Sequence, residues 1–363
     1  MNLGLVEKIA SAVLYEGYIL YPYRASAVKN RQRWNFGALY PRAFSLAQGL
    51  PGVDACAMQT ECLALASPGA AVDVRVRFLH LVAREVGELL HPSPGPQAAE
   101  EPLAGLKEGT DYRGVPMLDI GGQIFQTWQE ASEREVTIPG LDLDGLAAGP
   151  SKQDFAFPAG REVEPLLDEG RLAGVLVRRQ QAIEGSVEVA AERAGERLFK
   201  ISVRISNQTS LEGEYLGSRD EALMRSLVST HTVLTIRDGE FVSLLEPPDS
   251  MREIAASCVN TGTWPVLVGN AGERDCLLSS PIILYDYPQI APESAGDLFD
   301  STEIDEILTL RIMTLTDEEK REMRGVDARA RRILERTESL PPEQMMKLHA
   351  TMRSPGPVKE DER

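Results

Sequence analysis

The stretch "LFKISVRISN", Leu198 to Asn207, carries an apolar residue at every second position. Phe199, Ile201, Val203 and Ile205 alternate with Lys200, Ser202, Arg204 and Ser206. Successive side chains of a strand point to opposite faces, so this pattern demands a β-strand with one dry face and one wet face. "SVEVAAE" upstream repeats the pattern through Val187, Val189 and Ala191, and "RAGER" supplies the turn between them. The two runs read as a β-hairpin. From about residue 72, "VDVRVRF" alternates Val72, Val74, Val76 and Phe78 with Asp73, Arg75 and Arg77. In "VLTIRDGEFVSLL", Asp238-Gly239 predicts a tight turn and a second hairpin, because these residue types accept positive φ. "WPVLVG" and "LLSSPIILYDY" add two apolar, β-branched runs. Half-solvated strands of this kind belong to antiparallel sheets, not to a parallel sheet covered on both sides.

Helical spacing occurs mainly at the two ends. Val6, Ile9, Ala10, Val13 and Leu20 recur on one helical face, with Glu7, Lys8, Ser11 and Glu16 on the other, and Pro22 stops the helix. Inside the strand-rich region, "SRDEALMRSLVSTH" is helical in pattern and opens with Ser218 and Glu221 as a capping box. Towards the carboxyl end, Asp300 with Glu303 and Thr316 with Glu319 make two further capping pairs, Asp327 opens "ARARRILERTES", and Pro341 opens a last short helix. The expected fold is therefore α+β: an antiparallel β-rich central domain, sandwich-like, with N- and C-terminal helices. Its expected divisions are an N-terminal helix and aromatic, basic segment at 1–50 and a β-rich core at 51–290. That core carries long Pro/Gly-rich surface loops near 92–115 and 139–165. A helical region at 291–353 and a disordered tail at 354–363 complete the chain.

Charge and cysteine usage narrow the function. The 363-residue chain is 43% hydrophobic, enough to bury a core, and its net charge of −17 argues against a general nucleic-acid or anionic-membrane binder. No apolar run is long enough for a transmembrane helix, and the N-terminus has no basic start or cleavage site of a signal peptide. Cys56, Cys62, Cys258 and Cys276 match no zinc ribbon, redox or iron–sulfur spacing and are too few for a disulfide framework, so a reducing cytoplasm is expected.

Enzyme chemistry has one candidate. Cys258 with His231 would pair a thiol with the imidazole that such a nucleophile requires, with Asn260 or Asp249 orienting the ring, in a cysteine-dependent hydrolase or transferase. "AASCVNTG" equally suits a small buried thiol beside a turn. The histidines His80, His91, His231 and His349 are scattered, and the acids of "ESAGDLFDSTEIDE" lack the glycine-pivoted spacing of a calcium loop. Neither a metal nor a cofactor is expected, since "DIGGQ" matches no phosphate or dinucleotide loop.

Binding has a stronger candidate. Between Tyr15 and Phe44 lie eight of the 21 aromatic residues, and positions 1–50 carry six basic residues against two acids. Aromatic and arginine side chains anchor interfaces because they bury large areas while keeping a polar handle. Tyr21, Tyr23, Arg31, Arg33, Trp34 and Tyr285 are the candidate binding residues. The rings equally suit a sheet cap whose arginines pair with the protein's own acids. Such acids are at hand, because no Lys or Arg lies between Arg274 and Arg311, where Asp275, Asp286, Glu293, Asp297, Asp300, Glu303, Asp305 and Glu306 occur. Arg31, Arg33, Trp34 and Phe36 also suit nucleic-acid stacking, but the acidic remainder repels phosphate.

Two passages, "VLYEGYILYPYRASAVKNRQRWNFG" and "SSPIILYDYPQIAPESAGDLFDSTEIDEILTLRIMTLTDEEKREM", cover about a fifth of the chain. Together they resemble an uncharacterised bacterial family associated with gene neighbourhoods of uptake nickel–iron hydrogenases. The resemblance implies a cytoplasmic accessory or assembly role, with a hydrogenase subunit or maturation factor as the protein partner. It transfers no catalytic residue, and the cysteines form no nickel- or cluster-delivery motif. The functional expectation is a non-catalytic accessory protein acting through protein–protein contacts.

Overall fold

A single strand, β1 (Ala57–Leu89), runs through the computed structural model and organises everything else. The structure describes residues 3–15, 37–47, 54–91, 105–212, 218–289, 312–326 and 328–339. After α1 (Leu3–Leu14), α2 (Arg42–Ala47) and β1 come β2 (Tyr112–Val115), β3 (Met117–Ile120), β4 (Gln123–Gln126), β5 (Trp128–Asp142) and α3 (Leu143–Ala148). Next are β6 (Ser151–Phe157), β7 (Gly160–Asp168), β8 (Arg171–Gln180), β9 (Ile183–Arg193), β10 (Leu198–Asn207), α4 (Arg219–Leu223) and β11 (Val228–Val242). The described chain closes with α5 (Arg252–Ala256), β12 (Trp264–Leu267), β13 (Cys276–Ser280), α6 (Asp317–Val326) and α7 (Ala328–Ser339).

Among the described residues every strand pair is antiparallel, and β1 has five partners in the large sheet. Residues 63–65 of β1 pair with β10 and β11, and residues 71–79 pair with β11 and β5, so β11 occupies one edge while β10 and then β5 occupy the other. Farther along, β8 succeeds β11 on its edge, and β2 succeeds β5. The sheet then folds back on itself. Phe78 of β1 lies 5.8 Å from the Phe155 ring and 5.7 Å from the Phe157 ring, although β6 is three strands away in sheet order. Two layers result, packed as in a sandwich around Val72, Val74, Val76, Phe78, Ile138, Ile183, Val187, Ile201 and Ile205. Each such side chain contributes about 1.5–3 kcal/mol when fully buried. The β9–β10 hairpin follows the sequence pattern: Phe199, Ile201, Val203 and Ile205 are buried, and Arg204 is exposed. Gly185 is required beneath Phe155, because a Cβ there would sit 2.4 Å from the ring.

Helix α1 covers the opposite face of the β1–β11 pair. Val6, Ile9, Ala10 and Val13 pack on Val233, Val266, Val268, Cys276 and Leu278. Leu14, Tyr40, Phe44, Leu79, Leu81, Leu223, Ile312, Met323 and Leu334 gather both ends of the chain into a second core. The Thr316–Glu319 capping box is formed reciprocally, with Thr316 N donating to Glu319 Oε2 at 2.7 Å and Glu319 N to Thr316 Oγ1 at 3.3 Å. Both Lys320 and Arg324 of α6 reach Glu338 of α7.

Five expectations change. Strand β1 begins at Ala57, well before residue 72. Asp238-Gly239 makes no hairpin; β11 continues through it as one strand. A two-residue turn of that type needs positive φ at both positions, and only Asp238 has it, at 56°. Arg237 and Gly239 instead pair with Ala71 and Ala66, so the irregularity sets Ser67–Ala70 of β1 against Asp238 alone. The stretch 139–165 is not a surface excursion but the end of β5, then α3, β6 and the first part of β7. Leu143 and Leu146 are buried, and Asp142 caps α3 by accepting from Gly145 N. "SRDEALMRSLVSTH" is helical only over Arg219–Leu223, capped by Ser218, because Thr230 and His231 are wanted in the core of β11. In the expected 92–115 loop, residues 112–115 form β2, while 92–104 lie outside the described residues, as do Leu20, Pro22, the Asp300–Glu303 pair, Asp327, Pro341 and the tail.

Candidate functional site

The thiol–imidazole pair does not form. Cys258 follows α5, packs with Leu63, and has Sγ 3.8 Å from Ile254 O. His231 sits opposite Arg77, fourteen residues farther along β1, or roughly 45 Å of strand contour at about 3.3 Å per residue. The neighbours of Cys258 are Lys200 and Glu61, and those of His231 are Ser229, Arg75 and Arg77. Burial pushes the Cys258 thiol up, against the opposing pull of Lys200, so it is not poised as a thiolate. Burial also lowers His231 to about 4.

The other proposed members of that site have structural duties. Asn260 Oδ1 accepts from Glu61 N at 2.8 Å, and Asp249 pairs with exposed Arg252. Lys200 bridges Glu61 and the Ser257 carbonyl at the carboxyl end of α5, where a cation opposes the helix dipole. Its hydrogen bond to Glu61 holds the ammonium above its usual range.

Along the later part of β1, arginines and glutamates interlock. Glu7 of α1 accepts from both Arg75 and Arg77, and Arg77 also reaches Glu133. Arg84 is only 6% exposed; it donates to Glu130 Oε1 at 2.8 Å and twice to the Gln126 carbonyl. Glu130 also receives Arg178, which continues to Glu164, while Arg179 meets Glu85 and Glu108. Charges withdrawn this far from water are stable only when paired and hydrogen-bonded. The network is a structural seam holding β1 to α1, β5, β7 and β8.

Of the six candidate binding residues, Tyr21, Tyr23, Arg31, Arg33 and Trp34 lie outside the described residues, and Tyr285 lies within them. Tyr285 is 87% exposed and Ile283 is 74% exposed, whereas Ile282 and Leu284 between and beside them pack into the α1 core. The backbone here is pinned. Asp286 accepts from Leu267 N at 2.8 Å and Ser243 Oγ at 2.5 Å, and Tyr287 N donates to Leu267 O at 2.7 Å. Trp264 and Leu245 are also exposed, and the Ser243 bonds tie Leu245 to the Asp286 region. Ile283 was missed by the sequence reading, although its alternation with Ile282 and Leu284 in "PIILYDY" was visible. Of the acidic stretch set against the N-terminal segment, Asp275 and Asp286 are described and the rest lies outside. Gly37, where description resumes after that segment, packs on Pro281, two residues before Ile283; a Cβ there would be 2.5 Å from Pro281 Cγ.

Among the described residues no group of three or more His, Cys, Asp or Glu side chains could hold a metal ion, and no helix is long and apolar enough to cross a membrane. No protein-family model matches this sequence, and no curated protein is significantly similar to it.

Proposed function

We propose that this protein is a non-catalytic accessory factor that acts through protein–protein contact in the cytoplasm, in the assembly or maturation of a nickel–iron hydrogenase. The observation that carries the contact role is the exposure of Tyr285 and Ile283 on a backbone fixed by Asp286, by buried Leu284 and by partly buried Ile282. A large ring and a branched aliphatic, held out rigidly, lose little conformational entropy on binding and supply the kind of anchor that dominates interfaces. The hydrogenase partner rests on the resemblance of the two quoted passages alone.

The test is calorimetric titration of the intact protein with purified hydrogenase subunits and maturation factors. Binding to one of them, weakened at least about thirtyfold by Tyr285→Ala or Ile283→Asp, is the expected result, since a hot-spot truncation is worth about 2 kcal/mol or more. Absence of binding to every such partner removes the hydrogenase assignment. Binding that both variants retain in full removes the Tyr285 surface.

A further inference from the structure

Arg134 breaks the pairing rule of its neighbours. Arg75, Arg77, Arg84, Arg178 and Arg179 each meet a glutamate, but Arg134 on β5 meets no carboxylate among the described residues. Glu133 and Glu135 flank it in sequence and point to the other side of the strand, towards Arg77. The Arg134 guanidinium is nevertheless held in place. Its Cζ lies 5.0 Å from the Phe157 ring centroid, and Nη2 donates to Gln180 Oε1 at 2.8 Å. The Gln180 amide is oriented in turn by Nε2 donating to His80 O at 3.5 Å.

His80 belongs to the same niche. Its ring is 6.4 Å from that of Phe157, and Nε2–H donates to Gln181 O at 2.8 Å. Nδ1 of His80 and Nε of Arg134 are both buried, and both lack a hydrogen-bond partner among the described residues. Buried polar atoms are nearly always hydrogen-bonded, so two unsatisfied ones on neighbouring side chains call for a ligand group. A stacked, pre-oriented guanidinium without a counter-charge selects an oxyanion, whose geometry matches its fork. We propose that Arg134 and His80, both packed on Phe157, form a binding site for a small oxyanion, the carboxylate or phosphate group of a metabolite.

Proton uptake accompanies occupancy. In the free protein, burial and the Arg134 charge hold His80 down to about 4, so Nδ1 is a lone pair. A bound anion offsets Arg134 and gives a protonated Nδ1 an acceptor, so the site binds more tightly as pH falls. Facing this strand end, Gln180, Gln181 and Phe157 are neutral, and Glu221 of α4 pairs with Arg225 just past that helix, which also touches Gln181.

Calorimetry on the full chain with inorganic phosphate and, separately, succinate tests the assignment. Saturable binding of one of them is expected, at least about tenfold weaker in Arg134→Gln and in Phe157→Leu, as suits loss of a charge-assisted contact or of its stacking platform. Arg204→Gln, an exposed charge on β10, should leave it unchanged. Response to phosphate alone or to succinate alone names the anion class. Sulfate, which does not titrate near neutrality, should bind more tightly at pH 5 than at pH 7 in the wild type, with the dependence abolished in His80→Asn. The proposal is overturned if neither anion saturates, if Arg134→Gln binds like wild type, or if Arg134→Gln and Arg204→Gln weaken binding equally. Sulfate affinity independent of pH overturns the role of His80.

Discussion

The β9–β10 hairpin and the later part of β1 both belong to the same sheet but fill their buried positions differently. In the hairpin, Phe199, Ile201, Val203 and Ile205 are buried and Arg204 stays in water. In β1, Arg77 and Arg84 are 7% and 6% exposed and are accommodated through Glu7, Glu133 and Glu130, with the Gln126 carbonyl accepting twice more from Arg84. Apolar burial is non-directional and tolerates substitution by similar shapes. A buried charge is directional, and its stability depends on particular partners from α1 and β5.

That contrast can be broken at several points. Phe78→Ala should have the largest effect, about 4 kcal/mol, since it empties the space between β1 and β6. Glu130→Ala should follow at about 3 kcal/mol, leaving Arg84 half-paired, whereas a joint Arg84→Met, Glu130→Leu replacement should be close to neutral. Urea midpoints decide this. A double variant as damaging as Glu130→Ala alone would mean that the seam stabilises by its charges and not merely by satisfying them.

Acid should act next. His80 and His231 each have a folded pKa of about 4, below the ordinary 6.5, so the folded state binds fewer protons than the unfolded state in that interval. The stability each imidazole contributes is present above 6.5 and disappears as pH falls towards 4, on the order of 3 kcal/mol per group. Urea midpoints between pH 7 and pH 4.5 should therefore fall, less steeply in His231→Gln; an unchanged slope would place the acid sensitivity elsewhere. The smallest effect should come from Glu164→Gln at the rim of the seam, below about 1 kcal/mol, because its carboxylate is half exposed. A rim effect matching that of Glu130→Ala would erase the distinction between seam and rim.

Legibility in the sequence followed the same division. Alternation identified β9, β10 and the valines of β1, and the Thr316–Glu319 spacing gave the start of α6. Asp238-Gly239 misled because a favourable turn dipeptide is also a good place for a strand irregularity, and β1 was available on both sides of it. The run 139–165 misled because its prolines and glycines outweighed the weaker signals of Leu143, Leu146, Phe155 and Phe157. At the proposed contact surface, Tyr285 was legible as a ring in an acidic stretch. The separation of Cys258 from His231 was not, since no local pattern measures distance across a sheet.

The amino-acid order by itself determined which segments have one dry face, and hence an antiparallel, β-rich protein with helices at its ends. Periodicity is a local property, fixed by where successive side chains point. Only the folded chain decided that one strand would serve five partners, that Glu7 would lie across Arg75 and Arg77, and that Arg134 would stand near His80 with no carboxylate partner among the described residues. Those outcomes depend on contacts between residues tens of positions apart, which are set by how the layers close and not by the sequence of any one of them.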